Sequence, residues 1–182
     1  MDLGKGRGMK LEIEVKAYAK NLARVEERLK DMGAVFIAET HENDTYFNHP
    51  KRDFAATDEA LRIRVADKHS FLTYKGQKID AKSKSREELE VVVGDANRTT
   101  LLLLKLGFTP VADVRKIRKV YKIGEFELCL DDVEGVGTFV EVETRGENIA
   151  ELRDKALAIL ESLNLRKTER KSYLELLLET SS

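Results

Sequence analysis

The chain of 182 residues holds one cysteine, two prolines and no tryptophan, and its charges nearly cancel to −1. A lone Cys129 excludes an intrachain disulfide framework and suits a reducing compartment. With no Cys or His partner, it reads as a small packing residue. No apolar run approaches the ~20 residues that span a bilayer. Residues 1–8 are polar and Gly-rich, without the apolar core of a signal peptide. They read as a disordered leader, with Met9 as an alternative start, and the cytoplasm is the expected location. Near-neutral charge excludes a global field for polyanions, so a basic site must be a local concentration. Sparse aromatics (7%) argue against a nucleic-acid stacking barrel. His41, His49 and His69 lack zinc-site spacing. There is no Pro- or Ser-rich linker, so residues 9–179 read as one domain, and no glycine-rich phosphate loop.

What the chain has is charge, 36% against a usual ~25%, arranged with period two. Strand patterns run over Lys10–Tyr18, Ala34–Tyr46, Ala60–Ala66, Ser70–Gly76, Arg86–Val93, Val114–Lys122, Glu125–Leu130 and Thr138–Thr144. Helical patterns occupy Asn21–Met32, Thr99–Leu106, Asn148–Leu163 and Lys171–Glu179, the first two closed by Gly33 and Gly107. Asp131 to Gly135 reads as a turn between strands, and Asp80 to Arg86 as a mobile loop. Many strands with a few amphipathic helices make this an α+β chain.

Successive strand side chains point to opposite faces. Glu12, Glu14 and Lys16 therefore oppose Leu11, Ile13 and Val15, and Arg62 and Arg64 oppose Leu61, Ile63 and Val65. Glu88 and Glu90 oppose Leu89, Val91 and Val93, while Glu141 and Glu143 share one face of the last strand. For any single strand, a solvated polar face explains this. The set suggests more, because the polar faces carry long charged residues almost alone and the apolar helix stripes need a sheet face to cover. Apolar faces turned out to helices would leave the charged faces lining a barrel. A lumen holding Lys16, Arg62, Arg64, Lys75, Lys116 and Arg118 would be costly unless filled by anions. Glu12, Glu14, Glu141 and Glu143 would offer hard oxygen ligands for Mg²⁺ or Mn²⁺. Anionic oxygens, divalent metal and several cations together describe a polyphosphate site.

These residues resemble the CYTH superfamily, the triphosphate-tunnel metalloenzymes. Glu12-x-Glu14-x-Lys16 is similar to its N-terminal signature, followed in order by Asp44-Thr45-Tyr46-Phe47, Leu61-Arg62-Ile63-Arg64 and Thr73-Tyr74-Lys75-Gly76. Ser85-Arg86-Glu87-Glu88-Leu89-Glu90, Lys116-Ile117-Arg118, Leu130-Asp131-Asp132-Val133 and Gly137 to Glu143 complete the set. Gln77 stands where close relatives often have proline. The resemblance implies a closed antiparallel β-barrel, a tunnel with helices packed outside. It implies metal ligation by Glu12, Glu14, Glu141 and Glu143, with Asp131 and Glu90 nearby, and a triphosphate gripped by Lys16, Arg62, Arg64, Lys75, Lys116 and Arg118. Arg86 is a further candidate and Glu88 is left open. Glu12, Glu14, Lys16, Glu141 and Glu143 would carry the catalysis.

Within the family, the motifs look most like the class IV adenylyl cyclases, which convert ATP to cyclic AMP and pyrophosphate and suggest a homodimer. A triphosphatase acting on inorganic or thiamine triphosphate, and a non-catalytic polyphosphate- or nucleotide-binding module, stand as the alternatives. Neither a nucleic-acid nor a membrane partner is expected. Tyr173 reads as a packing aromatic that could close the tunnel mouth. Lys82, Lys84 and Arg86 read as a solvated basic run or a lid.

Overall fold

The computed structural model describes residues 11–79 and 83–180. The expected leader, residues 1–8, lies outside the described residues, as does Lys82. Eight strands form one antiparallel sheet. They are β1 (Leu11–Tyr18), β2 (Val35–Asn48), β3 (Ala60–Ala66), β4 (His69–Lys75), β5 (Glu88–Val93), β6 (Thr109–Ile123), β7 (Phe126–Val133) and β8 (Gly137–Gly146). Their order is β1-β8-β7-β6-β2-β3-β4-β5. The helices are α1 (Leu22–Asp31), α2 (Phe54–Thr57), α3 (Ala96–Lys105), α4 (Ile149–Ser162) and α5 (Tyr173–Thr180).

The sheet curls until its two ends meet. Residues just before β5 bridge β1: Glu12 and Arg86 exchange both backbone hydrogen bonds at 3.2 Å, and the Lys84 amide donates to the Glu14 carbonyl at 3.0 Å. The expected barrel therefore closes through a three-residue seam. Its wall is kept curved by irregularities in β2, between Phe36 and Ala38 and between Thr45 and Phe47.

The faces divide as the alternation requires. Ile13, Val15, Ala17, Leu128, Leu130, Val140 and Val142 point outward and are buried under α1 and α4, against Val25, Leu29, Leu152, Ala156 and Leu160. Each large side chain sealed there contributes roughly 1.5–3 kcal/mol of transfer free energy. A second cluster joins Phe139, Val114 and Val133 to Tyr173 and Leu176 of α5, and a third joins Phe47, Phe54, Leu61 and Ile63 to Leu103 of α3. The first and third clusters lie outside the barrel wall, whereas the second shares strand faces with Lys116, Asp131 and Glu141 and closes one end of the lumen.

Several local expectations are corrected. The turn after β7 is Glu134 to Val136, because β7 continues through Val133 and places Asp131 inside a strand. β6 begins at Thr109, five residues early, since it follows the bent β2 as far as Asn48. α3 begins at Ala96, where the Asp95 carboxylate accepts from the Arg98 amide. The short α2, capped by Asp53, has too few residues to show periodicity. Residues 83–86 are buried at the seam and form no solvated loop.

Candidate functional site

The inner faces of the strands enclose a cavity of about 590 Å³. At one end β1 and β8 lie side by side, with Glu14 opposite Glu143 and Lys16 opposite Glu141. Carboxylate oxygens of Glu14, Glu141 and Glu143 fall within 4.8 Å of one another. Glu141 would be pushed up by burial, but Lys84, Arg118 and Lys16 hold it well below the usual carboxylate range. Glu143 goes the other way: burial, with Glu141, Glu14 and Glu12 beside it, drives it well above that range despite Arg118. Three hard oxygens this close repel one another, and a small divalent cation between them would turn that repulsion into coordination. The donor set fits Mg²⁺ or Mn²⁺.

Lys16 is sealed beneath the last helix. Its Nζ donates to the Lys171 carbonyl at 2.6 Å and sits 3.9 Å above the Tyr173 ring. Burial, then neighbouring Lys84, lowers its pKa to about 7. Lys84 donates to Glu14 at 2.5 Å and lies 3.5 Å from Glu141. Glu12 belongs to a separate group, accepting from Lys75 at 2.9 Å, with Glu88 against the same ammonium.

The far wall is a belt of cations. Asp44 accepts from Arg62 at 3.1 Å, from Arg64 at 2.6 and 2.7 Å and from Lys116 at 2.9 Å. Against its burial, those cations hold it well below the usual range. Glu42 pairs with Arg64 at 3.1 Å and Lys116 at 2.8 Å. Burial would raise it, yet Arg118, Arg64 and Lys116 bring it down to about 2. Arg118 links belt and acid end: it forks onto Asp131 at 2.7 and 2.6 Å and reaches Glu141 at 2.5 Å. The Tyr173 hydroxyl donates to Asp131 at 2.7 Å.

Two guanidinium groups are left incomplete. Nε of Arg62 and Nε of Arg86 are buried without an acceptor among the described residues. A buried N–H left unmatched costs about 1–3 kcal/mol, and an anionic oxygen is the partner that such donors take.

The structure therefore brings Glu12, Glu14, Lys16, Arg62, Arg64, Lys75, Arg86, Lys116, Arg118, Asp131, Glu141 and Glu143 to one cavity wall or its immediate support. Asp131 is engaged by Arg118 and Tyr173, outside the three-carboxylate cluster. Glu90 stands exposed at the rim, taking a hydrogen bond from Thr73 at 2.9 Å. Sequence reasoning missed Glu42, Asp44 and Lys84, and it left Glu88 undecided. Glu42 and Asp44 carry the same period-two signal as Glu12 and Glu14. Lys84 and Arg86 also alternate, but nothing local shows that their segment will pair with β1.

A cavity ringed by alternating acids and cations inside an eight-stranded antiparallel wall defines the class. The CYTH domain family model matches residues 10–173, and the chain belongs to that family. A Methanocaldococcus jannaschii protein provisionally named an adenylate cyclase, MJ0240, is 46% identical over 172 residues, covering 91% of this chain and 98% of that one. Adenylate cyclase CyaB of Aeromonas hydrophila is 28% identical over 145 residues, covering 76% and 73%. The solved structure of PH1819 from Pyrococcus horikoshii OT3 superposes with a TM-score of 0.86 at 43% identity, covering 92% of this chain and 98% of that one. No helix among the described residues is long and apolar enough to cross a membrane.

Proposed function

We propose that the protein is a metal-dependent enzyme that holds a triphosphate in the barrel and converts ATP to cyclic AMP and pyrophosphate. The observation that carries this reading is the contact between the Glu14–Glu141–Glu143 cluster and the cation belt, joined through Arg118. Glu14, Glu141 and Glu143 would hold Mg²⁺ or Mn²⁺, which when bound neutralises phosphate charge and lowers the pKa of a nearby hydroxyl.

The chain's own residues do the rest. Arg62, Arg64, Lys116 and Lys75 face the cavity as donors for β- and γ-phosphate oxygens, and the free Nε groups of Arg62 and Arg86 add donors already oriented. Asp44, Glu42 and Glu12 keep these cations extended before substrate arrives, so little reorganisation accompanies binding. The ribose 3′-hydroxyl would lose its proton to water as its oxygen bonds to the α-phosphorus, while the bond from that phosphorus to the bridging oxygen breaks. The growing charge on pyrophosphate would then fall against the belt. The cavity mouth supports a nucleoside: Phe54, Val111, Leu174 and Leu178 give it apolar walls, and Asn48 and Asp53 lie among them.

The same donor set could direct water to a γ-phosphate, so the test must read the product. Incubation with ATP, inorganic triphosphate and thiamine triphosphate, each with Mg²⁺ or Mn²⁺, is expected to give cyclic AMP and pyrophosphate from ATP. Inorganic phosphate released together with the matching diphosphate (ADP, pyrophosphate or thiamine diphosphate), and no cyclic AMP, would replace the cyclase with a triphosphatase. Metal-dependent binding with no turnover of any of the three would leave a binding module.

A further inference from the structure

A second concavity lies outside the barrel, where β1 runs into α1 and α4 runs into the C-terminal strap. This cleft of about 370 Å³ is bordered by Lys20, Arg24, Arg28, Arg166 and Lys167, and no carboxylate among the described residues lines it. In a chain whose acids and bases nearly cancel, five cations around one cleft, four of them exposed and Arg28 half-buried, are a strong local excess. None of the five has an ion-pair partner among the described residues, although most tunnel cations have one or more.

The cleft is built by its surroundings. Arg28 Nη1 donates to the Leu163 carbonyl at 2.8 Å, and the Asn164 amide oxygen, correctly oriented, accepts from the same guanidinium. This pins one cation at the floor beside Val25 and Leu163. Asn164 takes φ +60°, turning the chain sharply out of α4 so that Arg166 and Lys167 return along the opposite wall. Lys167 Nζ then lies 4.6 Å over the Tyr18 ring. α1, ten residues long, opens at the third side, with Asn21 capping the Arg24 amide and no acid in its first turn. The Leu22 and Ala23 amides have no acceptor within the helix, so its positive end adds to the side-chain charge.

We propose that this cleft binds a small di- or triphosphorylated anion at a site separate from the tunnel. Phosphate fits better than a single carboxylate. Arg24 and Arg166 present forked donors, Arg28 adds its pinned charge at the floor, the two lysines add point charges, and a helix N-terminus suits tetrahedral anions. The strap forming one wall also serves the tunnel. The Tyr18 amide bonds the Lys167 carbonyl at 3.1 Å and the Glu169 amide bonds the Lys16 carbonyl at 2.8 Å, a few residues before Tyr173. An occupant of the cleft would therefore sit on the segment that carries the tunnel's cap.

The test is an amide-resolved NMR titration of the full chain with inorganic pyrophosphate, without divalent metal. The expected result is a saturable set of shifts at Lys20–Arg24 and Arg166–Thr168, distinct from any set in the barrel. In an R24E/K167E variant that cleft set should weaken by at least about tenfold in affinity while barrel shifts persist, which also shows that the variant is folded. Absence of saturable shifts at the cleft, or a drift that sodium chloride reproduces, would overturn the proposal. So would an unchanged cleft set in R24E/K167E. A single-stranded oligonucleotide that saturates the same amides more tightly than pyrophosphate would assign the cleft to nucleic acid and likewise overturn it.

Discussion

The two faces of one sheet make opposite uses of the same strands. On the outer face of β1 and β8, Ile13, Val15, Val140 and Val142 are sealed against α1 and α4, and their burial holds the molecule together. On the inner face, one residue away in each case, Glu12, Glu14 and Glu141 are buried among cations, with Glu143 half-buried beside them. Desolvation of those charges opposes folding, and their mutual attraction offsets only part of it. An arrangement so costly is best explained by what it binds. The comparison teaches that stability and function are separated here by the strand pleat, a few ångströms apart.

The largest expected effect belongs to the inner face. Glu141→Gln keeps the volume and removes the charge that meets Arg118, Lys84 and Lys16. Turnover should fall by about 10³-fold, some 4 kcal/mol of transition-state stabilisation, measured as kcat/KM with ATP and Mn²⁺. Undiminished turnover would sink the metal assignment.

The outer face gives the mirror result. Leu160→Ala opens a void beneath α4, where Leu160 is 1% exposed, and should cost about 2–5 kcal/mol in denaturant unfolding. Turnover of the folded fraction should change by less than twofold (~0.4 kcal/mol). A large loss there would break the separation of the two faces.

Asp44→Asn tests the boundary between them. It leaves Arg62, Arg64 and Lys116 short of their common carboxylate, and losing one partner of a buried ion cluster costs about 3–5 kcal/mol. If the belt is a polyphosphate seat, inorganic triphosphate should restore more stability to this variant than to the parent, read as a larger rise in Tm. An equal rise in both would show that the belt is structural.

Protonation sharpens the same boundary. Glu42 is held down to about 2 in the fold, below the ordinary carboxylate value near 4.3. A depressed folded-state pKa gives stability that is fully present above the unfolded value and is lost as pH falls through the folded one. Glu42→Gln should therefore destabilise the protein by about 2–3 kcal/mol at pH 7. The difference from the parent should shrink between pH 4 and 2, followed by urea unfolding across that range. A difference constant down to pH 2 would remove the ion pairs with Arg64 and Lys116 as its cause.

How much of this was legible depends on the range of the information. β1 and β8 could be read directly, because period two is local and their charged and apolar faces are cleanly divided. That also revealed the inversion, since the helix stripes around Leu29 and Leu160 needed an apolar wall to cover. Asp44 was equally visible, but its value as the hub of three cations depends on β2 lying between β3 and β6. Lys84 was hidden for a stronger reason. A serine- and lysine-rich run looks solvated until the curl of seven other strands brings it against β1. Asp131 was misjudged locally because Asp-Asp before Glu-Gly suggests a turn, whereas pairing with Arg118 across the ladder extends the strand.

The smallest effect examines whether the jacket can be loosened without touching the lumen. Asn148 caps α4: its oxygen accepts from the Glu151 amide at 3.4 Å and its Nδ2 donates to the Glu151 carboxylate at 2.8 Å. Asn148→Ala removes both contacts at an exposed end, which should cost about 1 kcal/mol. For a chain of this size that is a fall in Tm of roughly 2–4 °C. α4 covers the outer surface of β1 and β8, whose inner surface holds the three clustered carboxylates. If the strands transmit fraying of their cover, kcat should drop already at temperatures far below the transition. If the pleat insulates one face from the other, kcat should stay level until unfolding begins. The latter is expected, because the β1–β8 ladder is paired along its full length and Glu14 and Glu143 are fixed by that pairing, with no contact to the α4 cap.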